Sequence, residues 1–314
     1  MNPIIIENLR KSYGTTTAVN GVSFEVNPGE IFGLIGPDGA GKTTIIRTVV
    51  SLLEPDEGSV MFKGKTVGEY TSFVRSNIGY MPQRFSLYRD LTVDENLRFF
   101  GDLFKVPRSE QKSLMDKLYR FSKLEPFKNR RADALSGGMK QKLALSCMLM
   151  HQPEVIVLDE PTFGVDPVSR NEFWEILKTL ADEGTTILVS TAYMDEAGKC
   201  DRVALMFKGD ILALDEPGKL RQSYTDPLYL IETDDAHSVY KKIEQSADCD
   251  HCTLFGNGIH ITDTAAIGED KIRENLEKLQ IEYKSFRKIE PELEDLFLKL
   301  IQNSVVEPKA ETAA

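Results

Sequence analysis

Short apolar runs at residues 31–35 (IFGLI), 155–158 (VIVL) and 185–190 (TTILVS) are too brief for buried helices and read as buried strands. The first is followed by a helix-like pattern at 42–53, and an apolar stretch at 143–150 precedes the second. Between Gln83 and Leu135 lies a polar, helix-patterned stretch that contains LTVDENLRFF at 91–100. Apolar segments 202–207 and 210–214 follow the third strand, and beyond Pro217 the pattern changes. A strand is expected at 228–231 and a helix at 237–245, then strands at 253–255 and 259–261 around Gly256-Asn257-Gly258, a hairpin signal. A helix at 269–279 and a strand at 283–286 come next. A last helix starts at Pro291 and puts Leu293, Leu296, Phe297 and Leu300 on one face. Residues 303–314 read as a polar disordered tail, and no internal repeat is visible.

The first part belongs to the α/β class. The strand–helix–strand–strand–helix–strand order of the second is that of a small ferredoxin-like α+β domain. A chain of 314 residues suits two domains, 1–220 and 221–302, because single cores stop growing near ~250–300 residues. Hydrophobic content of 41% and charged content of 28% are ordinary for a globular protein. The net charge of −11 argues against nucleic acid as the main partner, since such binding relies on basic residues. No apolar stretch approaches the ~20 residues of a spanning helix, and MNPIIIENLR lacks the basic and apolar regions of a signal peptide, so a cytosolic location is expected. Four cysteines fit a reducing compartment. Cys249 and Cys252 enclose His251 in one C-x-x-C; with no second pair to complete a zinc site, it reads as a surface coincidence.

Residues 36–43, GPDGAGKT, fit G-x-x-x-x-G-K-[ST] between a strand and a helix-like run, the context that a phosphate-binding loop requires. Gly36, Gly39 and Gly41 lack Cβ atoms, so successive N–H groups can close around a polyphosphate while the helix start turns its positive dipole end toward the same charge. Lys42 is placed to reach the β- and γ-phosphates and the Thr43 hydroxyl to hold Mg²⁺, with Pro37, Asp38, Ala40 and Thr44 completing the stretch. The run 155–158 ends in Asp159-Glu160-Pro161, where Asp159 can anchor the Mg²⁺ shell and Glu160 can polarise a water. A buried strand ending in acids and proline is commonplace by itself; the upstream loop is what turns it into half of a triphosphate site.

Just before the second strand stands LSGGMKQK, 135–142. Two triphosphate motifs enclosing LSGG resemble the nucleotide-binding subunit of ATP-binding cassette (ABC) transporters, over about residues 3–220. The resemblance implies a P-loop NTPase fold with an antiparallel β-subdomain and a helical subdomain at about 84–150 that docks on a permease. It also implies that Ser136, Gly137 and Gly138 bind the γ-phosphate of ATP held by the opposite subunit. Tyr13 looks like the residue that stacks on adenine, with Val19 nearby, although an exposed strand-end tyrosine remains an alternative. Gln83 resembles the glutamine that reaches Mg²⁺ and senses the membrane partner, and Asp166 the aspartate that communicates across the dimer. PELEDLFLKL resembles the close of accessory domains in the multidrug- and polysaccharide-export branch, where a stabilising or dimer-packing cap and a regulatory role both stay open.

Two positions depart from that family. Asp38 replaces the usual Asn, at a place where side chains point away from the phosphates. Ala192, in Ser190-Thr191-Ala192-Tyr193, stands where a histidine normally contacts the γ-phosphate, and the four histidines lie elsewhere, at 151, 237, 251 and 260. The expectation is an ATPase subunit using ATP and Mg²⁺, peripheral on the inner face of the cell membrane through a separately encoded permease, and working as an exporter. Its second partner is another ABC ATP-binding subunit, in a homo- or heterodimer. Two readings stay open beside it: a degenerate or regulatory subunit with weak hydrolysis next to an active partner, and a soluble ABC ATPase outside transport.

Overall fold

The computed structural model describes residues 1–84, 87–246, 251–256 and 258–306. The chain divides into two compact units, Met1–Pro217 and Gly218–Ala314. The first contains strands β1 (Ile4–Tyr13), β2 (Thr16–Val26), β3 (Ile31–Ile35), β4 (Glu57–Phe62), β5 (Lys65–Thr66), β6 (Ile78–Met81), β7 (Val155–Asp159), β8 (Thr186–Thr191), β9 (Arg202–Phe207) and β10 (Asp210–Asp215). Its helices are α1 (Lys42–Val49), α2 (Thr71–Asn77), α3 (Val93–Leu103), α4 (Arg108–Ser122), α5 (Gly137–Met148), α6 (Pro167–Asp182) and α7 (Met194–Ala197), and α8 (Pro217–Gln222) follows.

A six-stranded sheet runs β10-β9-β3-β8-β7-β6, parallel from β9 to β6 with β10 returning antiparallel at the edge. Every residue of β3, β7 and β8 is buried, which is why these segments read as unbroken apolar runs rather than as alternation. A second sheet, β2-β1-β4-β5, is antiparallel. Helix α1 joins the two: Ile45, Ile46 and Val49 share one apolar cluster with Ile4, Phe24 and Phe62 of the antiparallel sheet and Val157 and Leu188 of the parallel one. Phe24 stacks on Phe32 at 4.9 Å and 3°. The helix stops at Val49, short of the 42–53 pattern, because Ser51 takes a left-handed φ of 59° and the N–H groups of Val50 to Leu52 turn back onto Ile46, Thr48 and Arg47 carbonyls.

Between β6 and β7 the chain builds a helical insert from α3, α4 and α5. Thr92 and Glu95 cap α3 reciprocally, and the fully buried Asn96 holds the preceding loop through Tyr88 N and O, Leu91 O and Thr92 O.

The second unit pairs β11 (Leu228–Glu232), β12 (His251–Phe255), β13 (Gly258–Thr262) and β14 (Ser285–Ile289) antiparallel, in the order β12-β13-β11-β14. Helices α9 (Ala236–Glu244) and α10 (Glu269–Lys278) bury Val239, Ile243, Ile272 and Leu276 with Ile231, Ile259, Ile261 and Phe286. Helix α11 (Leu293–Val306) begins two residues after the expected Pro291, where the Asp295 carboxylate accepts from Glu292 N at 2.8 Å. It also continues to Val306, so 303–306 are helical rather than part of a disordered tail: the register that buries Leu293, Leu296 and Phe297 carries the helix on. Cys249, Asn257 and residues 307–314 lie outside the described residues, while Cys252 is half-buried in β12.

Candidate functional site

Strand β3 delivers the glycine loop and α1 carries it away, which puts the loop at the carboxyl end of the parallel sheet. Gly41 sits at φ 106°, and a Cβ there would fall 2.4 Å from Ala18 O; at Gly36 a Cβ would fall 2.2 Å from Met206 O. The loop is therefore pressed against its neighbours on one side, with only backbone offered on the other. Gly36 N donates to Thr191 O at 3.2 Å and Gly209 N to Ala40 O at 3.1 Å, which pins the loop at both ends. Pro37 is half-buried, Asp38 and Gly39 are exposed, and Thr44 is half-buried on α1.

Lys42 is 3% exposed and donates to Gly36 O at 2.7 Å and Pro37 O at 3.0 Å, with Glu160 Oε1 3.1 Å away. The Thr43 hydroxyl donates to Asp159 Oδ1 at 3.0 Å, and the Gln83 amide donates to Glu160 Oε2 at 2.9 Å. Five residues from three distant stretches of sequence thus meet in one polar cluster. A buried ammonium curled back onto its own loop's carbonyls can exchange them for phosphate oxygens at little geometric cost. The Thr43 and Asp159 oxygens are the hard donors that suit a magnesium ion, which keeps waters and takes the rest of its shell from substrate phosphates. Glu160 holds a left-handed φ of 48°, rare for a residue with a side chain, and its N–H donates to Ser190 Oγ at 3.0 Å and Ser190 O at 3.2 Å.

Ser136, Gly137, Gly138 and Asp166 form a second group. Ser136 caps α5, accepting from Met139 N at 3.3 Å, and Asp166 caps α6, accepting from Ser169 N at 2.9 Å; that backbone donor, with the Ser169 hydroxyl, holds the Asp166 carboxyl below its usual range. The two helix starts touch, since a Cβ at Gly138 would lie 2.3 Å from Ser169 Cβ. Ser136 and Gly137 are exposed, a face turned to solvent rather than to Lys42. Tyr13 is 49% exposed at the end of β1. Val19 is fully buried behind Gly41 and supports the loop rather than presenting a free face.

Ser190 was not among the sequence candidates. Its hydroxyl donates to Asp159 Oδ1 at 2.8 Å and accepts the Glu160 N–H, so it aims both carboxylates. A lone serine at the end of an apolar strand carries no spacing signal that could have marked it.

Such a cradle, at the ends of parallel strands, defines a P-loop nucleotide-binding protein. The family described as ABC transporter matches residues 19–163, and the chain is 40% identical over 220 residues to Nod factor export ATP-binding protein I of Ralstonia nicotianae, covering 69% of this chain and 68% of that one. The chain belongs to the ATP-binding subunits of ABC transporters. It is also 44% identical over 230 residues to the probable multidrug ABC transporter ATP-binding protein YbhF of Escherichia coli K12, a match covering 73% of this chain and 39% of that relative. Among solved structures, a dimeric bacterial ABC transporter cassette superposes with a TM-score of 0.62 at 26% identity, over 68% of this chain and 98% of that one. No helix among the described residues is long and apolar enough to cross a membrane.

Proposed function

We propose that this chain binds and hydrolyses ATP to drive a separately encoded membrane permease of an export system, lying against the cytoplasmic face of the membrane through that partner. The observation that carries the reading is the meeting of the buried Lys42, Asp159 and Glu160 with Thr43 and Gln83 in one polar cluster. Thr43, Asp159 and Gln83 would hold Mg²⁺, which neutralises charge on the β- and γ-phosphates when bound. Lys42 turns from the Gly36 and Pro37 carbonyls to the phosphates, and Glu160 is then free to orient a water and take its proton. The Gln83 amide steadies the second Glu160 oxygen meanwhile.

The export direction is supported by the names of the relatives, which are a multidrug and a Nod factor system. Dimerisation with a second ATP-binding subunit is supported by the dimeric cassette among the solved structures and by the solvent-facing Ser136 and Gly137. In that dimer each nucleotide lies between one chain's Gly36–Thr43 loop and the other's Ser136–Gly138, with Tyr13 at the adenine end and Asp166 at the junction. The strand order of the second unit supports a ferredoxin-like accessory domain. Ala192 favours one alternative, a subunit whose own site is slow beside an active partner.

Glu160→Gln tests the assignment. The variant should bind ATP, lose turnover and accumulate as a dimer, read by nucleotide titration, phosphate release and size-exclusion chromatography with ATP. Unchanged hydrolysis would remove Glu160 from this role.

A further inference from the structure

Glu196 on α7 belongs to none of the motifs above, yet it is fully buried and ties three segments together. Its Oε1 accepts from the Thr162 hydroxyl at 2.8 Å, two residues beyond Glu160. Its Oε2 accepts from the Thr191 hydroxyl at 2.5 Å, at the end of β8. Arg170 of α6 stands 3.7 Å from Oε1, its Nε buried and without a hydrogen-bond partner, and its guanidinium lies 3.9 Å from the Tyr193 ring centre.

Both threonines lead into the site. Thr191 O accepts from Gly36 N, and Thr191 Oγ1 accepts from Tyr193 N at 3.0 Å, a bond that spans Ala192. The neighbouring Ser190 holds Glu160 N and the Asp159 carboxylate. On the other side, Ser169, next to Arg170, bears directly on Gly138. A desolvated carboxylate is costly unless donors and a cation offset it, so its position between these segments calls for a role that an apolar residue could not fill.

We infer that Glu196 is a positioning residue for hydrolysis. Through Thr162 and Thr191 it keeps Glu160, Ala192 and the phosphate loop in one register, and through Arg170 it ties that register to the helix packed on Gly138. The inference rests on the reading of Glu160 as the residue that orients water, and Glu196 itself makes no contact with the substrate.

The test compares the full chain with Glu196→Ala and Glu196→Gln in three measurements: titration with a fluorescent ATP analogue, turnover per titrated site, and amide hydrogen exchange. Affinity should stay within about threefold, while turnover per site falls about 10–100-fold in the alanine variant, the scale of a small misplacement of a catalytic group. Glu196→Gln should retain part of the rate that the alanine variant loses, because an amide oxygen still accepts from one threonine. The Glu160 and Tyr193 amides should exchange at least about tenfold faster in the alanine variant, with the second unit unchanged. Should Glu196→Ala fail to fold, Thr162→Val removes one of the two hydroxyls at similar volume and carries the same expectations. A merely structural role predicts fewer competent sites with unchanged turnover per site and unchanged local exchange, and that result overturns the inference. Glu160→Gln alone tests the underlying reading separately, and in that background Glu196→Ala should add no further loss; a full additional loss overturns action through Glu160.

Discussion

Ala192 follows β8 one residue beyond Thr191, half-buried, with a methyl where the resemblance drawn from the sequence implies an imidazole. One missing transition-state donor typically costs ~2.7–4 kcal/mol, roughly a hundredfold to a thousandfold in rate. If this chain's own site is slow for that reason, Ala192→His should raise phosphate release by the purified chain by a factor on that order. A rate that the histidine leaves unchanged would mean that Glu160 and Gln83 suffice and that a homodimer turns over normally. The glycines, Lys42 and Thr43 were legible because a phosphate loop must be continuous in sequence, whereas Ser190 and Glu196 act through contacts between segments that no local pattern announces.

The helical insert depends on polar side chains as much as on its apolar faces. Asn96, fully buried on α3, satisfies both the N–H and the C=O of Tyr88. Replacing it with Ala strips those groups of their partner and should cost about 1–3 kcal/mol, read from urea unfolding, whereas an exposed substitution on the same helix such as Arg98→Ala should cost far less. His151, in the turn that ends α5, packs its ring 4.2 Å from Phe104 at the end of α3. Desolvation holds its pKa below the ordinary 6.5, outweighing the pull of the Ile78 carbonyl 3.3 Å from its Nε2. The unfolded chain then takes up this proton at a higher pH than the folded one, so the contribution is whole above 6.5 and is lost as pH falls through the lowered folded value. Thermal midpoints between about pH 5 and 8 should therefore fall more steeply on the acid side for the parent than for His151→Leu, and parallel curves would exclude the effect. At element level the strands that the apolar runs bounded were found within a residue or two except 283–286, which lies at Ser285–Ile289, and the ends of α1 and α11 were missed, because a left-handed Ser51 and the onward register of a helix set such ends rather than the hydrophobic period.

At the scale of the whole molecule, the contacts described above for the phosphate site, from Ala18 beside Gly41 to Met206 behind Gly36, are made within the Met1–Pro217 unit. A chain ending at Pro217 should accordingly bind ATP within about threefold of full length once it is folded and soluble, a factor that is under 1 kcal/mol. Titration with a fluorescent nucleotide checks this, and much weaker binding by a folded truncation would mean that the second unit takes part in the site. The same division leaves the second unit free for a role outside nucleotide chemistry, consistent with the absence of phosphate-binding motifs from its sequence.

The sequence alone determined that a phosphate loop, a strand ending in Asp159-Glu160 and an LSGG helix start are present, since each is local and carries its chemistry in consecutive residues. Only the tertiary structure decided that Lys42 pairs with Glu160, that Ser190 aims both carboxylates, that Gly138 bears on Ser169, and that Glu196 gathers Thr162, Thr191 and Arg170. Those pairings arise where parallel strands far apart in sequence end side by side, and strand order is a property of the folded sheet, not of any segment within it.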